Sequence, residues 1–152
     1  MPPAFGRLLL ALLLALAMAA PAAAQTFPAL TGQVMDEAGI LPPEVESQLT
    51  AKLAALEQQS QRQLVVVTVP SLQGYEISDY GYRLGRQWGI GTKERNDGAM
   101  LLVAPNERKV RIEVGYGLEP VLTDGMSFLI INNAILPRFK AGDLPGGIVA
   151  GT

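Results

Sequence analysis

The sequence predicts an α/β fold: a three-layer α/β/α sandwich around a small mixed β-sheet. Three observations carry that expectation. Two strand-length segments, residues 64–69 and Ala99–Ala104, are apolar almost throughout. Amphipathic helical stretches separate them, and the second segment runs through a short polar connection into the alternating Lys109–Val114. Strands that are apolar on both faces must be covered on both faces, which calls for helices above and below the sheet, while the hairpin supplies an antiparallel pair.

The elements follow in order. At the N-terminus a lone charge, Arg7, precedes an apolar run over residues 8–20. Pro21 ends the run, and Ala22-Ala23-Ala24 stands before Gln25. That order of charge, apolar stretch and small residues predicts a secretory signal peptide over residues 1–24, cleaved after Ala24. Residues 25–152 then form one domain, long enough for a real core. Residues 26–41 read as irregular, with a short strand at Gln33-Val34-Met35. Pro42-Pro43 opens a helix with Glu44 and Glu46 in its first turn, where negative charge suits the dipole. Val45, Leu49, Leu53 and Leu56 form its apolar stripe. After the 64–69 strand, closed by Pro70, a second helix is predicted over Ile77–Trp88, where Gly81 and Gly85 read as close-packing positions. Residues 89–98 are polar and punctuated by glycine, hence a loop. A third helix is expected over residues 126–136, capped by Asp124 and stopped by Pro137. A further helix begins near Leu144, and the sequence reads as truncated within it.

Composition narrows the chemistry. The chain has no histidine and no cysteine. Disulfides, thiolate and imidazole metal sites, and Ser-His-Asp or Cys-His catalysis are therefore excluded. Of 12 Lys and Arg residues only Arg7 lies in the leader, so the domain carries eleven basic against 14 acidic residues. That mild negative balance gives no electrostatic reason to expect nucleic acid as a partner. Carboxylates, hydroxyls, amides or a bound hard cation remain as the chemical material.

If Ala104 sits opposite Lys109, paired hairpin positions place Gly98 across from Gly115 and Asp97 across from Tyr116. The polar 89–98 loop and the Gly115-Tyr116-Gly117 loop must then meet at one end of the sheet. Asn96-Asp97-Gly98 reads on its own as a tight turn into a strand, since Asx-Gly turns are common, and is also local material for a calcium or magnesium loop. Tyr116 can present its hydroxyl to a ligand or pack its ring on the hairpin. Glu113 and Glu119 read as surface charges unless a metal is present, and Asp36-Glu37 forms a second acidic pair ahead of the first helix.

Four motifs in this order and spacing resemble the TPM domain family. They are residues 34–41 (VMDEAGIL), residues 65–74 with Pro70-Ser71-Leu72-Gln73-Gly74, Asn96-Asp97-Gly98 with Ala99–Ala104, and residues 108–119 with Val114-Gly115-Tyr116-Gly117. The resemblance covers residues 27–149 and implies the α/β/α sandwich, an exported or lumenal location in the periplasm or on the outer face of the cytoplasmic membrane, and often a membrane tether after the domain. It also implies a site for Ca2+ or another divalent cation in acidic loops, whose matching positions are Asp36 and Asp97. Asn96, Glu113, Tyr116 and Asp124 are neighbours added on geometric grounds. Two functions follow from the resemblance: an interaction or assembly module for a membrane protein complex or its subunits, and a divalent-metal-assisted acid phosphatase.

Overall fold

A computed structural model describes residues 26–152 of the chain. The leader and its cleavage site lie outside the described residues. The sheet has four strands in the order β1-β2-β3-β4: β1 (Val34–Asp36), β2 (Leu64–Thr68), β3 (Ala99–Ala104) and β4 (Lys109–Val114). β1, β2 and β3 run parallel, and β4 returns antiparallel beside β3. The hairpin register matches the sequence expectation, with Ala104 opposite Lys109 and Ala99 opposite Val114. Among the described residues no helix is long and apolar enough to cross a membrane.

Helices cover both faces, as the apolar strands require. One core joins Val66, Leu101 and Val103 of the sheet to Leu49 and Leu53 of α1 (Pro43–Ser60), to Ile135, and to Ile148 of α5 (Leu144–Gly151). The other joins Met35, Val67, Met100 and Leu102 to Tyr80 and Leu84 of α2 (Ile77–Trp88). Residues 27–30 extend this second layer: the Phe27 ring meets Tyr80 edge-on at 5.2 Å, and the Trp88 indole donates to the Pro28 carbonyl at 2.8 Å. Alternation along β3 decides which side chain enters which core, since odd and even positions face opposite layers. The stripe on α1 holds at Leu49 and Leu53, whereas Leu56 emerges at the end of the helix and is exposed.

Two expectations are corrected in the C-terminal third. Asp124 does not cap the third helix. Thr123 is the N-cap, accepting from the Met126 amide at 3.1 Å, and Asp124 is the first residue of α3 (Asp124–Ile130). Nor does Pro137 stop the helical path, which continues through a π-turn segment, Ile131–Ile135, into α4 (Leu136–Lys140). There the Leu136 amide reaches back five residues to the Ile131 carbonyl. A widened turn shifts the carbonyl that the pyrrolidine ring would strike, so the chain passes the proline while staying helical. Residues 144–151 form α5, with Asp143 accepting from the Gly146 amide at 2.9 Å as its cap.

Candidate functional site

The sheet has two ends, and the acidic residues divide between them. Asp36 closes β1 at the carboxyl end of the parallel strands, level with Thr68 and, through it, with Val103. Asp97 precedes β3 at the other end. Six residues separate Asp97 from Val103, so the two carboxylates stand about 20 Å apart along the strand direction and two strands apart across it. They share no site, and the expected Asp36 and Asp97 ion pocket is overturned by the register of the sheet.

Asp36 has a local task instead. Its Oδ1 accepts from the Thr68 hydroxyl at 2.6 Å and the Ile40 amide at 3.1 Å, and its Oδ2 accepts from the Leu41 amide at 2.9 Å. Thr68 Oγ1 in turn accepts from the Ala38 amide at 3.1 Å. The carboxylate thus ties the turn after β1 to the end of β2 and fixes the entry into α1.

At the opposite end the 89–98 loop and the loop after β4 interlock through glycines. Gly91, at φ +86°, and Gly98 stack backbone on backbone, so a Cβ on Gly98 would stand 2.6 Å from the Gly91 nitrogen. Gly115 and Gly117 lie against the carbonyls of Asn96 and Arg95, where no side chain fits. Main-chain bonds from Gly115 to the Gly98 carbonyl (2.8 Å) and from Gly117 to the Asn96 carbonyl (2.9 Å) extend the hairpin ladder beyond β4. The expected meeting of these two loops is therefore present.

Asp97 is 5 % exposed and turned into its own loop. Its Oδ1 accepts from the Thr92 amide and hydroxyl, both at 3.2 Å. The Thr92 amide, chiefly, holds the carboxyl below its ordinary pKa. A depressed folded-state value means that this bond stabilises the loop above the ordinary aspartate range, about 3.9, and that the contribution is lost as pH falls through the lower folded value. Amide exchange in residues 89–98 is accordingly expected to speed up on acidification below that range. In Asp97→Asn this pH-dependent component should vanish; a loop whose exchange titrates identically in both proteins would show that Asp97 is not its anchor.

A cleft of about 550 Å³ opens beside this end of the sheet, along β4. Asn96, Glu113, Tyr116 and Asp124 line it, together with Glu119, so four of the six anticipated residues do share one surface. Tyr116 is 74 % exposed, its ring standing off the hairpin. Glu113 lies on the α2 side, facing Gly81: a Cβ there would sit 3.4 Å from Glu113 Oε2 and from Leu102. Gly81 and Gly85 face this strand, yet a Cβ at either would meet its neighbours at 3.4 Å or more, ordinary contact distance, so the close packing expected from the sequence is not what requires glycine there. Arg111 donates from Nε to Glu113 Oε2 at 2.6 Å, closing an ion pair on the cleft wall. Arg86 donates to the Tyr82 hydroxyl at 2.7 Å on the facing helix.

Arg111, Arg86 and Tyr82 line the cleft but were not anticipated. The signal for Arg111 was present, because a residue two positions from Glu113 on a strand shares its face. Arg86 and Tyr82 needed the crossing of α2 over β4. The donor set does not fit calcium, which takes six to eight oxygens. Among the described residues no three carboxylates come together to hold a metal ion. Glu113 is held by Arg111, and Asp97 faces away from the cleft.

Architecture and cleft together define an α/β/α domain with an open cleft along one edge of its sheet. A model of the TPM domain matches residues 34–152, and the chain belongs to that family. It is similar to the N-terminal domain of a P. gingivalis protein solved by NMR, at 36% identity and a TM-score of 0.74 over 80% of this chain and 77% of that one. It also shares its fold with the N-terminal domain of the cg2496 protein of Corynebacterium glutamicum, at 20% identity and a TM-score of 0.63 over 84% of this chain and 80% of that one. The BA42 protein of Bizionia argentinensis matches with the same identity and TM-score, over 73% and 75%. No protein with a curated description matches the chain.

Proposed function

We propose that the chain is an exported interaction module that docks onto a subunit of a membrane protein complex. One observation carries this reading. Val121, Met126, Phe128 and Leu129, within nine residues at the start of the C-terminal helices, are 58 %, 48 %, 64 % and 51 % exposed. Large apolar side chains crowded on a surface mark protein contact sites, since leaving them in water forgoes about 25 cal/mol for each Å² that a partner would cover. Export is supported by the charge, apolar run and small-residue order of residues 1–24.

The phosphatase reading has less to draw on. Arg111 is committed to Glu113 and Arg86 to Tyr82, which leaves Lys93, on the 89–98 loop, to meet a phosphoryl group. Phosphoryl transfer rests on positioning and charge stabilisation, and a loop lysine supplies little of either.

A photoreactive amino acid in place of Phe128 should give a discrete covalent adduct with a membrane protein in intact cells. The same group at exposed Gln58 on α1 should give none. Absence of an adduct at position 128, or equal labelling at both positions, would remove the proposed surface.

A further inference from the structure

Polar and apolar side chains on α3 stand the wrong way round. Ser127 is buried, and among the described residues its hydroxyl has no hydrogen-bond partner, while its neighbours Met126, Phe128 and Leu129 are exposed. A buried unpaired hydroxyl and an aromatic ring left in water are both unfavourable. The segment that joins α3 to the rest of the fold carries the means of exchanging them. Ile131–Ile135 is wound as a π-turn, with the Leu136 amide reaching the Ile131 carbonyl, so this stretch holds one residue more than an α-helix of the same length. Its far end is fixed, because Ile135 is fully buried in the core. Its near end is not: α3 rests chiefly on the π segment rather than on the sheet, and residues 119–123 before it are irregular. Two residues with N-cap chemistry stand side by side there. Thr123 caps α3 through the Met126 amide, and Asp124 beside it is not used as a cap.

We propose that α3 is a two-position switch, in which the surplus residue passes from the π segment to the turn before the helix and Phe128 leaves the surface. Moving the wide turn to the other end of α3 carries each residue into the place of the one before it, a rotation of about 100°. Phe128 then enters the inward place of Ser127, and Ile131 that of Ile130. Ser127 moves out to the exposed place of Met126, where its hydroxyl meets water. Leu129 and Ile130 take the two outer places, so the surface stays apolar but loses its aromatic ring, the kind of side chain that anchors interfaces. The helix now begins one residue later, and Asp124 caps it through the Ser127 amide, so each register has a cap of its own. The ring needs more room than the hydroxymethyl group it replaces, which the lightly held α3 supplies by moving outward. Helix register shifts of this kind are known elements of protein switches. The register change stands on the helix alone, whereas its role as a gate for docking rests on the interaction-module reading.

The test places 4-fluorophenylalanine at position 128 alone, in protein purified in its exported form, and follows fluorine saturation transfer with and without a soluble gadolinium chelate. Exchange is expected between an exposed resonance, broadened by the chelate, and a minor protected one. Thr123→Ala should raise the protected fraction about five-fold and Asp124→Ala lower it by a similar factor, since each removes the cap of one register. Ser127→Ala should lower it too, because it takes the unpaired hydroxyl out of the register seen here. Deletion of Asn133 removes the surplus residue and should leave the exposed resonance alone. No exchange in either the wild type or Thr123→Ala, equal responses to the two cap substitutions, or exchange that survives the deletion would overturn the proposal. Crosslinking from position 128 keeps the two readings apart. Adducts that increase on deletion of Asn133 and decrease in Thr123→Ala support the gate. An adduct without fluorine exchange sinks the switch and leaves docking standing, whereas exchange without any adduct removes the docking surface, and the gate with it.

Discussion

Gly117→Ala is expected to destabilise the domain by about 2–4 kcal/mol, because the new methyl group would overlap the Arg95 carbonyl in a place where only backbone could yield. A flexible side chain could rotate away from a methyl. A carbonyl held in the 89–98 loop, whose Asn96 neighbour already bonds the Gly117 amide, must carry the loop with it. The thermal midpoint should fall by on the order of 10 °C for a domain of this size, and the Tyr116 side of the cleft should lose its shape. Gly142→Ala is the useful comparison. Gly142 lies at φ +84° with open space around its Cβ position, so its cost is conformational alone and smaller. Equal melting of Gly117→Ala and wild type would show that the two loops do not interlock.

Asp36→Ala should cost about 3 kcal/mol, since it strips three donors, the Thr68 hydroxyl and the Ile40 and Leu41 amides, of a charged acceptor. Asp36→Asn keeps an oxygen in place and should recover part of the loss. The sign of the effect matters more than its size. A carboxylate kept for cation binding would repel its acidic neighbours in the ion-free protein, so removing it would raise the melting temperature. A structural carboxylate lowers it when removed, with or without calcium. Denaturant melts of both variants, with and without calcium, therefore decide between a ligand for an ion and a tie for a turn.

Much of the fold was legible because it rests on local patterns. Two apolar strands, the Pro42-Pro43 helix start and the hairpin spacing each have one economical physical solution, and the hairpin register followed from a single pairing. The site was legible only where the hairpin alone determined it. Asn96, Glu113 and Tyr116 are brought together by residues close in sequence, so their convergence could be counted out along the ladder. Asp36 lies on a strand whose place depends on a parallel crossover, and nothing local says which end of the sheet it joins. Resemblance in the order of motifs identified the family, yet order along the chain does not specify proximity in space. Asp124 and Pro137 illustrate a different limit. An aspartate and the threonine before it compete for one cap, and a proline can be absorbed by a widened turn, so sequence rules that are sound on average had two local solutions here.

The mixed sheet also imposes an order of assembly. Ala104 and Lys109 are neighbours across a tight connection, whereas Val34 must find Val66, and Leu64 must find Ala99, across more than thirty residues of intervening chain. Hairpin closure belongs to the microsecond range, about 1–10 μs, while the remote pairings bear the entropy of closing long loops. A polypeptide emerging unfolded would thus nucleate at β3 and β4, presenting its unbonded rim to the surroundings before β1 has docked, and encounter with another chain would compete kinetically with completion of the core.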